Sequence, residues 1–137
     1  MHLKIVTVDK TIVDADIKSL IARSPVGEFQ ILPGHTPLIT LAVPSDTVYT
    51  TMDGKDQKLF TSGGIVKVLR DNILFITDAA ELPEDIDLER ARRALTEASD
   101  KLKNASQADR PFLKDAIARA EMRIKVKRDV IGTHHEI

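Results

Sequence analysis

The sequence predicts an α+β protein: an antiparallel β-sandwich or flattened barrel, followed by an antiparallel hairpin of two helices. Residues 3–79 form short apolar and β-branched segments separated by turn residues, with no helical repeat between them. From about Glu84 onwards, apolar residues instead recur every three or four positions, as they do on one face of an α-helix. We therefore expect two domains, over residues 1–82 and 83–137.

Seven strands are predicted in the first domain from β-branched, aromatic and alternating residues. Two hairpin turns are indicated, at Asp53-Gly54, where glycine accepts the positive φ of a tight turn, and at Arg70-Asp71-Asn72. The predicted strands cover residues 3–8, 12–22, 38–43, 47–52, 58–61, 65–69 and 73–77.

Two amphipathic helices are predicted in the second domain, joined by a short loop over residues 104–109. Asp85 or Asp87 can cap the first helix, whereas Asp109 is the expected N-cap of the second, and Pro111 fits only its first turn. The apolar stripes are Leu88, Ala91, Leu95, Ala98, Leu102 and Ala105 on the first helix, and Leu113, Ala116, Ile117, Ala120 and Ile124 on the second.

Both stripes are rich in alanine, which lets helices approach closely but buries little apolar area. We therefore expect the hairpin to be weakly held, so that a bound ligand could switch it. Residues 132–137 are expected to form a frayed tail.

Composition excludes several classes of protein. The chain has 137 residues and no cysteine, so disulfides and thiolate metal sites are excluded. No apolar run approaches the roughly 20 residues of a membrane-spanning helix, and the N-terminus lacks the apolar region of a signal peptide. The net charge of −1 argues against a general nucleic-acid binder. These features are typical of a cytoplasmic protein.

Nothing in the sequence has the pattern of a catalytic centre, so we predict no catalytic residue and no metal ligand. The histidines lack a metal-binding spacing, and there is no Gly-x-Ser-x-Gly motif or cysteine nucleophile. Gly63-Gly64 lacks the helix and lysine of a phosphate loop, so a tight turn or a close backbone contact is the better interpretation. A small β-fold enzyme is therefore disfavoured.

Basic residues concentrate in the second helix, where residues 110–128 hold seven lysines and arginines and two acidic residues. Arg119 and Arg123 are one turn apart, so they share one helix face. Either they pair with Asp115, Glu121 or acids of the first helix, or they bind an anion such as phosphate. The wider basic surface is either a solvated face or a surface for an acidic partner.

Three segments carry a resemblance to the epsilon subunits of bacterial F-type ATP synthases. Residues 27–38 (GEFQILPGHTPL) resemble the characteristic loop of these subunits, and residues 62–68 (SGGIVKV) resemble their glycine-pair strand. Residues 86–91 (IDLERA) resemble the motif by which some members bind ATP. The similarity runs in the same order through nearly the whole chain.

The resemblance implies a sandwich of about ten strands and a non-catalytic subunit of the central stalk. Such a subunit grips the gamma subunit and sits on the ring of c subunits, at the cytoplasmic face of the bacterial inner membrane. Its hairpin permits rotation when folded down, and inhibits ATP hydrolysis when it extends towards the alpha and beta subunits. A stand-alone nucleotide-sensing module, with the sandwich as inert scaffold, is the alternative.

In family members that bind ATP, the nucleotide stabilises the folded hairpin and is not hydrolysed there. The resemblance places Glu81 and Asp87 near the adenine or ribose and the arginines near the phosphates, with no metal required. Strong ATP binders carry an arginine where this chain has Glu97, and Arg93, one turn earlier, is a candidate partner for that carboxylate. The residues matched by position are Glu81, Ile86, Asp87, Arg90, Ala91, Arg119 and Arg123.

Overall fold

The computed structural model describes the backbone of residues 1–135 and the side chains of residues 1–130. The chain divides into two compact units, Met1–Leu82 and Pro83–Ile137. Within the described residues, nine strands build the first unit, and one 3-10 turn and two helices build the second. The predicted fold class, a β-sandwich followed by a two-helix hairpin, is confirmed.

The strands are short except for the second, which has 14 residues. They are β1 (His2–Val6), β2 (Thr11–Ser24), β3 (Gly27–Ile31), β4 (Leu38–Ala42), β5 (Ser45–Thr51), β6 (Asp56–Thr61), β7 (Gly64–Leu69), β8 (Asn72–Thr77) and β9 (Ala80–Glu81).

Two sheets share strand β2. One sheet has the order β4-β7-β8-β1-β2, and the other has the order β3-β2-β5-β6-β9. All neighbouring strands are antiparallel except β1 and β8, which are parallel. The register of β2 with β5 shifts between Ile17 and Ser19, where β2 passes from one sheet to the other. This irregularity bends the strand and increases its local twist.

The sandwich core is built from alternate residues of the strands, as the period of two predicts. β3 and β9 were not predicted from the local pattern, although β3 lies within the loop that carries the family resemblance. The buried core side chains include Leu3, Ile5, Val13, Ile17, Leu20, Ile31, Leu59, Val66, Val68, Ile73 and Phe75.

Gly64 is opposite Thr77 in the pairing of β7 with β8, and the backbone of β8 lies close to it. A β-carbon at this position would lie 2.0 Å from the Ile76 carbonyl oxygen and 2.9 Å from the Thr77 Cα, both of which are backbone atoms. At Gly63 the nearest atom, the Ala42 carbonyl oxygen, would be 3.3 Å away. The interpretation of this glycine pair as a close backbone contact is therefore confirmed.

The second unit begins with a 3-10 turn at Pro83–Asp85, followed by α1 (Leu88–Leu102) and α2 (Arg110–His135). Helix α2 continues through residues 132–135, so the expectation of a frayed tail from Gly132 is wrong for these residues. A single glycine costs a helix only about 1 kcal/mol and need not end it. The remainder of the expected tail, Glu136 and Ile137, lies outside the described residues.

Alanine forms much of the contact between α1 and α2. Ala91, Ala98, Ala120 and Ile124 are buried, whereas Leu88, Leu95, Leu102 and Leu113 are only half-buried. The small side chains at this seam allow a close approach of the helices but remove little apolar area from water. The small buried area supports the expectation that the two helices are held together weakly, and this expectation stays a prediction.

Candidate functional site

Asp87 is the N-cap of helix α1. Its backbone is extended (φ −89°, ψ 102°), and its Oδ1 accepts a hydrogen bond of 3.1 Å from the Arg90 backbone N–H. The side chains of Asp87 and Arg90 are exposed, whereas those of Ile86 and Ala91 are buried. Within residues 86–91, two buried apolar residues at the ends thus flank two polar side chains that reach solvent.

Arg119 and Arg123 lie one turn apart on α2, and both are half-buried. The Arg119 Nε lies 3.0 Å from the Asp115 Oδ2, but this buried N–H points outside hydrogen-bond geometry. Pairing with Asp115, one of the two alternatives open from the sequence, therefore occurs for Arg119. It leaves one buried donor without a hydrogen-bond acceptor.

One hydrogen bond indicates which residues of α2 lie beside which residues at the start of α1. The Lys127 Nζ donates a hydrogen bond of 2.8 Å to the Pro83 carbonyl oxygen. The two helices are antiparallel, so a residue four positions before Lys127 lies near the residue four positions after Pro83. Arg123 therefore lies near Asp87 along the hairpin, and Arg119 near Ala91.

A groove of about 680 Å³ runs between the helices on one flank of the hairpin. Successive residues of a helix lie about 100° apart, and this spacing places Arg90, Arg119 and Arg123 on the opposite flank. Three of the predicted site residues, Arg90, Arg119 and Arg123, therefore share one flank of the hairpin, but this flank is not the groove. The groove is lined by Arg92, Leu95, Thr96, Glu121, Met122, Ile124, Lys125, Arg128 and Asp129.

The arginine flank, which we define as Asp87, Arg90, Arg119 and Arg123, also includes an exposed carboxylate. Glu97 lies two turns after Arg90 on the same side of α1. Arg93 was a candidate partner for this carboxylate, but no ion pair between Glu97 and Arg93 occurs among residues 1–130. Glu97 therefore contributes an uncompensated negative charge beside the cations of this flank.

Glu81 belongs to the other unit. It lies on β9, opposite Phe60 of β6, and is half-buried. The family resemblance groups Glu81 with residues of the hairpin, but this residue is part of the sandwich.

His2 forms an ion-pair cluster that the sequence analysis missed. Its Nδ1 donates to the Asp16 Oδ1 over 2.8 Å and its Nε2 donates to the Asp14 Oδ1 over 2.5 Å. The hydrogen bond to Asp16, followed by that to Asp14, raises the pKa of His2. Both ring nitrogens of His2 are thus hydrogen-bonded to carboxylates.

No His, Asp or Glu cluster with metal-binding geometry occurs in the part of the chain that the structure describes.

The outward side of strands β4, β7 and β8 is apolar and exposed. Ile39 is 69% exposed, Leu41 61% and Ile65 44%. In the direction across the strands, Leu41 is opposite Ile65, and Ile65 is opposite Ile76. Exposed apolar patches of this kind mark interaction sites. We call this surface the outer apolar face; its residues are Ile39, Leu41, Ile65, Leu69, Leu74 and Ile76, around Lys67.

Comparison with known proteins gives consistent matches. Residues 1–83 match the family described as ATP synthase, Delta/Epsilon chain, beta-sandwich domain. The chain is 39% identical to the ATP synthase epsilon chain of Clostridium acetobutylicum, over 77% of this chain and 80% of that relative. It is 36% identical to the ATP synthase epsilon chain of a Clostridium botulinum strain, over 92% and 94% of the two chains.

Two solved structures are also similar. A chain of the Euglena gracilis mitochondrial ATP synthase OSCP/F1/c-ring structure has a TM-score of 0.77 and 25% identity, over 88% of this chain and 76% of that one. A chain from the central stalk and c-ring of the Tetrahymena thermophila mitochondrial ATP synthase has a TM-score of 0.60. At 12% identity, over 93% of this chain and 96% of that one, the second match shows the fold alone.

Among the described residues, no helix is sufficiently long and apolar to cross a membrane.

Proposed function

We infer the function from the family: this chain belongs to the ATP synthase delta/epsilon chains and is an epsilon subunit, a non-catalytic part of that complex. On this basis we propose that it lies in the central stalk and couples the catalytic head to the ring of c subunits. The subunit is then peripheral, held at the cytoplasmic face of the bacterial membrane through the complex. The exposed apolar face of the sandwich is the observation that carries this proposal.

The outer apolar face supplies the surface that grips the gamma subunit. Its rows of apolar side chains run across three strands, and the face includes the edge strand β4. Burying apolar side chains contributes roughly 25 cal/mol for each Å² removed from water, so a partner that covers this face gains substantial affinity. A stand-alone nucleotide sensor has no need of such a face, which favours the stalk function over that alternative.

Ile65→Asp is expected to weaken binding to gamma about 30-fold or more, because it places a carboxylate between the apolar side chains of Leu41 and Ile76. Titration of purified gamma against the wild type and the variant measures the loss. Val26→Asp is the matched control, since Val26 is 98% exposed on the turn between β2 and β3. Equal affinity of Ile65→Asp and the wild type would exclude this face as the gamma contact.

The hairpin is the regulatory element of the proposal. It forms a compact unit of its own, and three of the buried residues of its helices are alanines, Ala91, Ala98 and Ala120. A change of state then requires only a few kcal/mol. In the inhibited state the extended helices approach the alpha and beta subunits, where the basic residues of α2 pair with acidic segments.

ATP is the proposed ligand of the compact hairpin. Three arginines on one flank present the guanidinium forks that match phosphate oxygens. The exposed Asp87 can accept from an amino group of the base. Ile86 and Ala91 anchor this segment, no metal is required, and ATP is not hydrolysed here. Glu97 beside the phosphates lowers the affinity.

Arg123→Ala is expected to abolish the saturable heat of ATP binding that calorimetry detects with the wild-type chain. Arg128→Ala is the matched control, because Arg128 is on the same helix but lines the groove on the other flank. Asp87→Ala is less informative, since it also removes the N-cap and costs about 1 kcal/mol of stability. Equal losses in both arginine variants, or no heat at millimolar ATP, would contradict a nucleotide site on the arginine flank.

A further inference from the structure

Lys67 is a cation in the middle of the outer apolar face. Its neighbours along β7 on the same side of the sheet are Ile65 and Leu69, and its cross-strand neighbours are Ile39 on β4 and Leu74 on β8. Four apolar side chains therefore surround it. Among residues 1–130, no carboxylate lies within ion-pair distance of the Lys67 ammonium, which is exposed to water.

A partner that covers this face must also remove water from Lys67. A lysine ammonium is compact and strongly hydrated, so burying it without a counter-charge is very unfavourable. In protein interfaces, such a charge is either paired with an opposite charge or remains in water because the side chain extends to the edge of the interface. The ring of apolar neighbours makes the second route harder, because each lies between the ammonium and the edge of the face.

We propose that Lys67 is the specificity-determining residue of this face, and that gamma presents an aspartate or glutamate carboxylate to it within an otherwise apolar contact. The inference depends on the proposed docking of gamma through the outer apolar face. The apolar rows then supply area for any apolar partner, whereas the single charge selects the partner that brings a carboxylate to the right place.

The test measures association and dissociation rates of purified gamma with the full chain and three variants: Lys67→Met, Lys67→Arg and Lys67→Glu. Lys67→Met is expected to lose about 30-fold or more in affinity, because the gamma carboxylate is left buried and unpaired, and the loss is expected in the dissociation rate. Lys67→Glu is expected to lose more. Lys67→Arg, which keeps the charge, is expected to retain most of the affinity.

Lys58→Met provides the matched control, since Lys58 is a strand lysine of the other sheet, opposite Val48. It is expected to bind gamma like the wild type. In Lys67→Glu, replacing the matching gamma carboxylate with lysine is expected to restore binding, which a purely structural role of Lys67 would not produce.

Three outcomes would overturn the inference. If Lys67→Met binds as tightly as the wild type or more tightly, Lys67 reaches solvent in the complex and meets no carboxylate. If the change lies only in the association rate, Lys67 acts by long-range attraction and not as a buried pair. If the wild-type chain itself does not bind gamma, the proposed docking fails together with this inference, whereas the first two outcomes leave the docking standing.

Discussion

Replacing Gly64 with alanine is expected to destabilise the sandwich by more than about 3 kcal/mol, at the upper end of the effects of overpacking. The added β-carbon would lie 2.0 Å from the Ile76 carbonyl oxygen, a backbone atom that cannot move without separating β7 from β8. Domains of this size are stable by only about 5–15 kcal/mol, so the loss removes a large share of the total. Thermal or denaturant unfolding of the purified chain measures it.

Gly63→Ala is the control for this prediction, because it adds the same methyl group at the adjacent residue. There the β-carbon would lie 3.3 Å from the Ala42 carbonyl oxygen, and a shift of a few tenths of an ångström relieves the contact. We expect a much smaller loss of stability for Gly63→Ala. Unfolding of Gly64→Ala at the wild-type temperature would show that β7 and β8 do not need to approach so closely.

A chain that ends after Leu82 is expected to fold, to assemble with gamma, and to raise ATP hydrolysis by the complex about fivefold or more, within the usual range of allosteric couplings. In the proposed function, the hairpin supplies the inhibition and the sandwich supplies the surface that binds gamma. Ending the chain at Leu82 keeps β9, whose Glu81 pairs with Phe60, and follows the division between the two compact units. Steady-state hydrolysis by the reconstituted complex is the measurement.

The reconstituted complex with the full-length chain is the reference, and gamma retention by the truncated chain confirms its assembly. Addition of ATP before the assay is expected to activate the full-length complex but not the truncated one. If hydrolysis is unchanged after truncation, the hairpin has no inhibitory role. If the truncated chain does not retain gamma, the contact with gamma extends beyond the sandwich.

Seven strands could be predicted because their apolar and β-branched residues form a clear pattern. The two strands that were missed, β3 and β9, have only a short pattern or none. β3 alternates exposed Glu28 and Gln30 with inward Phe29 and Ile31, but this pattern covers only four residues between Gly27 and the turn residues Pro33-Gly34. Its backbone bonds to β2 hold it in place, and such bonds leave no trace in side-chain hydrophobicity. β9 has two residues, which is too short for any periodicity.

The outer apolar face could not be located from the sequence for a related reason. In β7, Ile65 and Leu69 are exposed while Val66 and Val68 are buried, so both sides of the strand are apolar. Periodicity then indicates a strand but does not show which side faces the core. The tertiary pairing with β4 and β8 makes that choice.

Part of the candidate site was predictable and part was not. The spacing of Arg119 and Arg123 fixes that they share a helix face. Their level relative to Asp87 depends on the contact between Lys127 and Pro83, which are 44 positions apart. Sequence spacing does not determine a contact of this kind. The His2 cluster likewise arises from the pairing of β1 with β2.

The continuity of β2 through both sheets has a mechanical consequence. Two sheets held together only by side-chain packing can slide over each other under a sideways load, because dispersion contacts re-form after a small shift. Here the same covalent backbone is hydrogen-bonded to β1 in one sheet and to β5 in the other. Relative sliding must therefore break backbone hydrogen bonds or bend β2 further at its irregularity near Ile17. The shared strand therefore resists relative sliding of the two sheets.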